Sequence, residues 1–210
     1  MNKRGILTII SGFSGVGKGT LVKELMDKYD NYALSVSATT RDMRPGEEEG
    51  KSYFFLSIED FENKIDNNEL LEYAKYVNNY YGTPKQYVED MLESGKDVLL
   101  EIEIQGMRQV KKIMPEALTI FIMPPTAETL KERLIGRNTE TMEVIEARLR
   151  RAVEESQGIE EYDFILVNDN LEKSVDKLHQ IIDECHCQSF RNKKFIEDIR
   201  EGVKAFSEGE

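Results

Sequence analysis

Residues 6–20 read ILTIISGFSGVGKGT, a short apolar run broken by one threonine and followed by four spaced glycines around one lysine. Ile6 to Ile10 predict a short buried strand, and Leu21, Val22, Leu25, Met26 and Tyr29, just beyond the glycines, form one stripe at helical spacing. A strand, a glycine loop and a helix in that order gather backbone N–H groups at a helix N-terminus, where the dipole favours an anion. A nucleotide polyphosphate is the ligand that uses all of these donors. Gly12, Gly17 and Lys18 fit G-x-x-x-x-G-K, in which glycines let the backbone curl around phosphate and the lysine reaches the transferred group. The expected nucleotide cradle is therefore Gly12, Phe13, Ser14, Gly15, Val16, Gly17, Lys18, Gly19 and Thr20. Gly19 stands where a serine or threonine normally serves magnesium, so Thr20 is the hydroxyl on offer and the metal ligand stays unassigned. A dinucleotide fingerprint does not fit, because Thr20 falls where its last glycine belongs.

Outward from this stretch, apolar blocks recur at 97–104 (DVLLEIEI), 117–123 (ALTIFIM) and 164–167 (FILV), with helical patterns between them. The alternation predicts an α/β fold, a mostly parallel sheet flanked by helices. Ser57 with Asp60 reads as a capping pair, Thr83 and Pro84 start a helix that stops near Gly95, and Leu130 with Leu134 mark another. Two stretches interrupt the pattern. Residues 37–90, with polar turns, many tyrosines and the loop RPGEEEG, read as an insertion on the sheet. Residues 127–157 read as two helices around GRNTET, flanked by Arg133, Arg137, Arg148, Arg150 and Arg151. The core then comprises 1–36, 91–126 and 158–190. In the tail, 191–210, Phe195, Ile199, Val203 and Phe206 predict an amphipathic helix expected to pack on its own domain.

The chain has 210 residues, 40% of them hydrophobic, which fits one core with inserted pieces. Its 28 Lys and Arg against 40 Asp and Glu give a formal net charge of -12. Such a field repels polyphosphate, which argues against nucleic-acid or anionic-membrane partners while leaving room for a small anion in a basic pocket. Cys185 and Cys187 are too close to staple distant segments, and no run of about eighteen apolar residues occurs. A cytoplasmic protein is expected. Cys185, His186 and Cys187 splay around a helix, so no metal site is expected there.

The segment SVSATTRDMRPGEEEGKSYFF suggests what accepts the phosphate. Arg41 and Arg44, three apart beside Ser37 and Thr40, offer two guanidinium forks with hydroxyls for one phosphate, and Tyr53 adds a phenol. Exposed loop arginines are the plain alternative. In LLEYAKYVNNYYGTP, Glu72 sits between apolar neighbours ahead of Tyr81, Gly82 and Thr83. Guanine presents two donors, N1–H and an amino group, that one ionised carboxylate accepts. A surface or capping acid is the alternative for Glu72 alone.

Together these residues resemble the guanylate kinase family: SGFSGVGKGT, then SATTRDMRPGE, LEYA with NYYGTP, DVLLEIEIQG, RLIGRNTET and the late VND, in order over roughly residues 4–188. The resemblance implies a P-loop nucleoside monophosphate kinase fold in which 37–90 is a GMP-binding subdomain and 127–157 a helical lid. It implies that Ser37, Arg41, Arg44, Tyr53 and Tyr81 hold the GMP phosphate while Glu72 and Thr83 read the base. Glu103 stands where the family usually has Asp facing guanine, one methylene longer, and Glu101 would lie near the phosphates and magnesium. Arg137 and Arg148 would clamp the transferring phosphoryl group, with Lys18, and Arg133 and Asn168 would lie near adenine. The implied activity is magnesium-dependent transfer from ATP to GMP, with dGMP use and oligomeric state left open. The GMP phosphate oxygen is already anionic, so no general base is needed, and His179 and His186 fall in a late helix. Two alternatives stand beside this: a kinase of another nucleoside monophosphate or a phosphorylated sugar, and a non-catalytic protein-binding module of the same fold.

Overall fold

The apolar block after Gly5 becomes β1 (Leu7–Gly12), whose first five residues are buried on both faces, as the middle of a parallel sheet requires. In the computed structural model, which describes residues 4–136 and 142–208, the chain continues through α1 (Lys18–Lys28), β2 (Tyr32–Leu34), β3 (Ala38–Thr39), β4 (Phe54–Phe55) and α2 (Ile58–Asp66). There follow β5 (Leu70–Tyr76), β6 (Asn79–Pro84), α3 (Lys85–Glu93), β7 (Asp97–Glu101), α4 (Ile104–Ile113) and β8 (Leu118–Met123). The last elements are α5 (Ala127–Ile135), α6 (Met142–Glu155), β9 (Phe164–Val167), α7 (Leu171–Cys185) and α8 (Lys193–Glu208).

Among the described residues the main sheet runs β2-β7-β1-β8-β9, with all neighbours parallel. Ile9 pairs with Leu100 on one side and Thr119 on the other, so the loop after β1 emerges at the carboxyl edge between two strands. That crevice is where open α/β sheets bind ligands. Leu21 and Leu25 of α1, Leu99, Ile120, and Leu178 and Ile182 of α7 close one core around it. Each such side chain contributes about 1.5–3 kcal/mol when fully buried, which holds the loop's two flanking elements rigid.

The second sheet, β4-β3-β6-β5, is mixed, with β3 parallel to β4 and antiparallel to β6. It has its own small core of Ala38, Phe61 and Leu70, with Phe61 stacked on Tyr80 at 5.2 Å between ring centroids. Ser57 caps α2 by accepting from the Asp60 amide. A two-residue turn, Val77 and Asn78 at φ 44° and 67°, joins β5 to β6.

Three expectations are corrected here. The strand expected through EIEI ends at Glu101: Ser11 Oγ donates to the Ile102 carbonyl at 2.6 Å, and Glu103 becomes the N-cap of α4. In β9 only Leu166 is buried, because the strand is an edge of the sheet. The tail forms its amphipathic helix, but α8 does not pack on the domain. Phe195, Ile199 and Val203 are more than half exposed and Phe206 is 84% exposed. His179 stacks on Tyr29 and bonds the Tyr32 hydroxyl at 2.8 Å, while His186 pairs with buried Asp97, so both serve the core. No helix among the described residues is long and apolar enough to cross a membrane.

Candidate active site

Gly17, the N-cap of α1, adopts φ 96° and ψ 21°, and a Cβ there would stand 2.9 Å from Asn168 Nδ2. Only glycine meets both demands, left-handed backbone and close approach. Asn168 is buried and donates to the Val16 carbonyl at 2.9 Å, and Arg133 of α5 donates to the same carbonyl at 3.2 Å and to the Asn168 carbonyl at 2.8 Å. The two residues thus brace the loop from beneath.

Lys18 Nζ curls back onto the Gly12 and Phe13 carbonyls, at 2.5 and 3.2 Å. Desolvation lowers its pKa, opposed by the charges of Glu155, Glu101 and Glu103. The ammonium is therefore a donor held on the carbonyls of its own loop, among three carboxylates. Gly12, Ser14, Lys18, Glu101, Glu103, Arg148, Arg151 and Glu155 line one cleft of about 570 Å³. Arg148 Nη1 reaches Ser14 Oγ at 3.3 Å, which places α6 over the loop. Desolvation in the cleft raises the Glu101 carboxyl, opposed by Lys18.

The insertion supplies two further groupings. Arg41 makes a bidentate pair with Glu47, at 2.7 and 2.5 Å, and lies over the Tyr53 ring at 5.0 Å and the Phe55 ring at 5.8 Å. Tyr53 packs edge-on against Tyr81 at 6.2 Å. Arg44 is exposed, its amide donating to Glu47 at 2.9 Å, and Ser37 lies half-buried before β3. The second grouping is Glu72 of β5, only 8% exposed, which accepts the Thr83 hydroxyl at 2.6 Å. Its other oxygen faces α4, where a Cβ on Gly106 would lie 3.1 Å away.

The loop, the arginine-bearing helix α6, an arginine–tyrosine cluster and a buried acceptor carboxylate now stand in one molecule. The family model described as guanylate kinase matches residues 4–185. The chain belongs to the guanylate kinase family. It is 48% identical over 202 residues to the guanylate kinase of Oceanobacillus iheyensis, covering 94% of this chain and 98% of that protein. To the guanylate kinase of Clostridium tetani it is 49% identical over 201 residues, covering 96% of each. The crystal structure of guanylate kinase from Anaplasma phagocytophilum matches the fold with a TM-score of 0.69 at 32% identity, covering 90% of both chains.

Within this guanylate kinase family member, the structure brings together Arg41, Tyr53 and Tyr81, and separately Glu72 with Thr83. It does not join Glu103 to Glu72 by any contact: Glu103 projects into the cleft and binds Arg151 of α6. Thr20 is exposed in the first turn of α1. Arg137 lies outside the described residues. Glu47, Gly106, Arg151 and Glu155 are site residues that the sequence reading did not single out for a role. Arg151 stood in the basic cluster and Glu47 in the RPGE run, but Gly106 and Glu155 carry no signal apart from the fold.

Proposed function

We propose that this protein transfers the γ-phosphoryl group of ATP to the phosphate of GMP, giving ADP and GDP, with the site residues acting as follows. Glu72, ionised, accepts from guanine N1–H and the exocyclic amine, and Thr83 fixes its orientation. Adenine offers no donor at N1 and is refused. Glu103 adds a second acceptor from the α4 side. Arg41, held flat by Glu47 over Tyr53, keeps N–H groups for the GMP phosphate, with Arg44, Tyr81 and Ser37 alongside.

The attacking phosphate oxygen is anionic, so catalysis is the work of aligning two mutually repelling anions and stabilising charge on the transferred group. Lys18 and the loop amides act from the core side and Arg148 from the lid, joined by Arg137. Lid closure excludes water, which disfavours hydrolysis of ATP. Magnesium bound with ATP would neutralise the phosphate oxygens, and the nearby oxygen donors, Thr20 and Glu101, are a hydroxyl and a carboxylate of the kind that a hard cation takes.

The observation that carries this reading is the buried Glu72, a costly group to keep unless a ligand uses it. A non-catalytic module would not require Lys18 in an intact loop beside Arg148. The test is a coupled assay of ADP production with ATP and magnesium, offering GMP, AMP, UMP and CMP separately. Turnover with GMP alone is expected, and turnover with another monophosphate, or none, would overturn the assignment.

A further inference from the structure

Two residues of the cleft, Arg151 and Glu155, have no part in this chemistry yet bridge two groups that do. Arg151 of the lid helix contacts Glu103 through Nη2 and Glu155 through Nε, the latter at 3.2 Å. Glu155 in turn accepts from the Ser14 amide at 3.3 Å through its other oxygen. The line of groups therefore runs from the N-cap of α4 to the phosphate loop. Each end is a place that a substrate needs. A nucleotide phosphate wants the Ser14 N–H, and the Glu155 carboxylate occupies it. A guanine donor wants Glu103, and the Arg151 guanidinium occupies that.

We propose that Arg151 and Glu155 form a strap that stands in for both substrates, Glu155 for the phosphate and Arg151 for the base donors. This rests on the proposed reading of Glu103 as a base acceptor. The strap holds α6 against the cleft until the ligands replace it. Because one guanidinium joins both carboxylates, the substrate that arrives first releases Arg151 and spares the second that cost. The sites are thereby coupled, equally in both directions. Desolvation raises the Glu155 carboxyl, opposed by the Ser14 amide and by the charges of Arg151 and Lys18. Neither residue touches the reacting atoms; both are positioning residues.

The test is titration calorimetry of the full chain with GMP, alone and with magnesium and a non-hydrolysable imido analogue of ATP. In the unmodified protein the analogue should tighten GMP binding. Arg151→Met should tighten GMP alone by about fivefold, the worth of a partly exposed ion pair, and should abolish the coupling. Loss of a positive charge beside an anionic ligand, or damage to the fold, would weaken GMP instead, so the sign decides. Unchanged or weaker binding in Arg151→Met overturns the strap.

Glu103→Gln separates the two readings. If it weakens GMP binding while Arg151→Met fails to tighten it, only the strap falls. If, added to Arg151→Met so that no strap is left to release, it leaves GMP binding unchanged, Glu103 does not read the base and the strap falls with that reading. At the other end, Glu155→Gln should tighten the imido analogue by about fivefold, whereas Glu154→Gln, exposed on the same helix, should not. Equal tightening in both would reduce the effect to general charge and overturn the loop half.

Discussion

Thr83 donates its hydroxyl proton to Glu72 across 2.6 Å, and both side chains are buried. One carboxylate oxygen is thereby spent inside the protein while the other is turned toward α4 beside Gly106. A carboxylate in such a place costs stability, and burial pushes its pKa above the usual range, against the Thr83 bond that favours the ionised form.

Glu72→Gln should separate function from stability. The amide turns one acceptor into a donor facing a donor, and rejection built on hydrogen bonds reaches up to about 10⁴–10⁵. The GMP preference over AMP should collapse in the coupled assay. With the folded-state pKa raised, the stability that Glu72 contributes is fully present below its unfolded pKa and is lost as pH rises through the folded value. The variant should therefore melt higher than the parent near neutral pH, with the gap closing as the solution is acidified. A variant that melts lower at neutral pH would show that the carboxylate is stabilising where it sits.

Lys18→Ala should lower kcat by about 10² to 10³, the usual cost of losing one preorganised donor to the transferred group, with an unchanged circular dichroism spectrum. Its bonds in the resting state go to the Gly12 and Phe13 carbonyls of its own loop and tie it to no other element, so the fold does not depend on it. Near-normal kcat would remove Lys18 from the phosphate site.

The main sheet was legible in the sequence because ILTII and ALTIFIM are buried on both faces and appear as apolar runs broken only by Thr8 and Thr119. The insertion was legible only as an interruption. Its hairpin turns on Val77 and Asn78, and a β-branched residue at positive φ advertises no turn. The apolar alternation of EIEI continues past the point where Ser11 captures the Ile102 carbonyl, so strand and cap look alike in one dimension. Glu72 and Thr83 could be picked out by type, but that they share a proton follows only from the β5–β6 pairing. The tail helix was legible as amphipathic, whereas whether its stripe meets a partner depends on geometry that the local sequence does not hold.

Glu47 holds Arg41 by two bonds, and the Arg41 pair with the Arg44 amide lowers the Glu47 carboxyl from 4.5 to about 2. Glu47→Gln should raise the KM for GMP by about tenfold, the worth of one charge-assisted partner, with kcat little changed, because Arg41 would lose its fixed orientation rather than its charge. Since the folded-state pKa is depressed, the stabilisation that Glu47 provides is present above 4.5 and lost as pH falls toward about 2. The melting temperatures of parent and variant should thus differ at neutral pH and converge in acid. A changed kcat with an unchanged KM would place Glu47 in the chemistry instead.

Asp97, 2% exposed at the start of β7, accepts from the Ile6 amide at 2.8 Å and from Asn31 at 3.0 Å, and it pairs with His186 at 2.9 Å. Three segments far apart in sequence are pinned by one carboxylate. Asp97→Ala would leave the Ile6 N–H without its acceptor inside the protein, and each stranded group of that kind costs about 1–3 kcal/mol. A loss of about 3 kcal/mol in denaturant unfolding is expected, lowering the melting temperature by roughly 6–12 °C for a chain of this size. Ile199→Ser is the matched control, since that side chain is 54% exposed on α8 and should move the unfolding midpoint by less than about 0.5 kcal/mol. Equal losses in the two variants would mean that the stripe on α8 is buried in solution, and that the stability of the domain does not rest on Asp97 in particular.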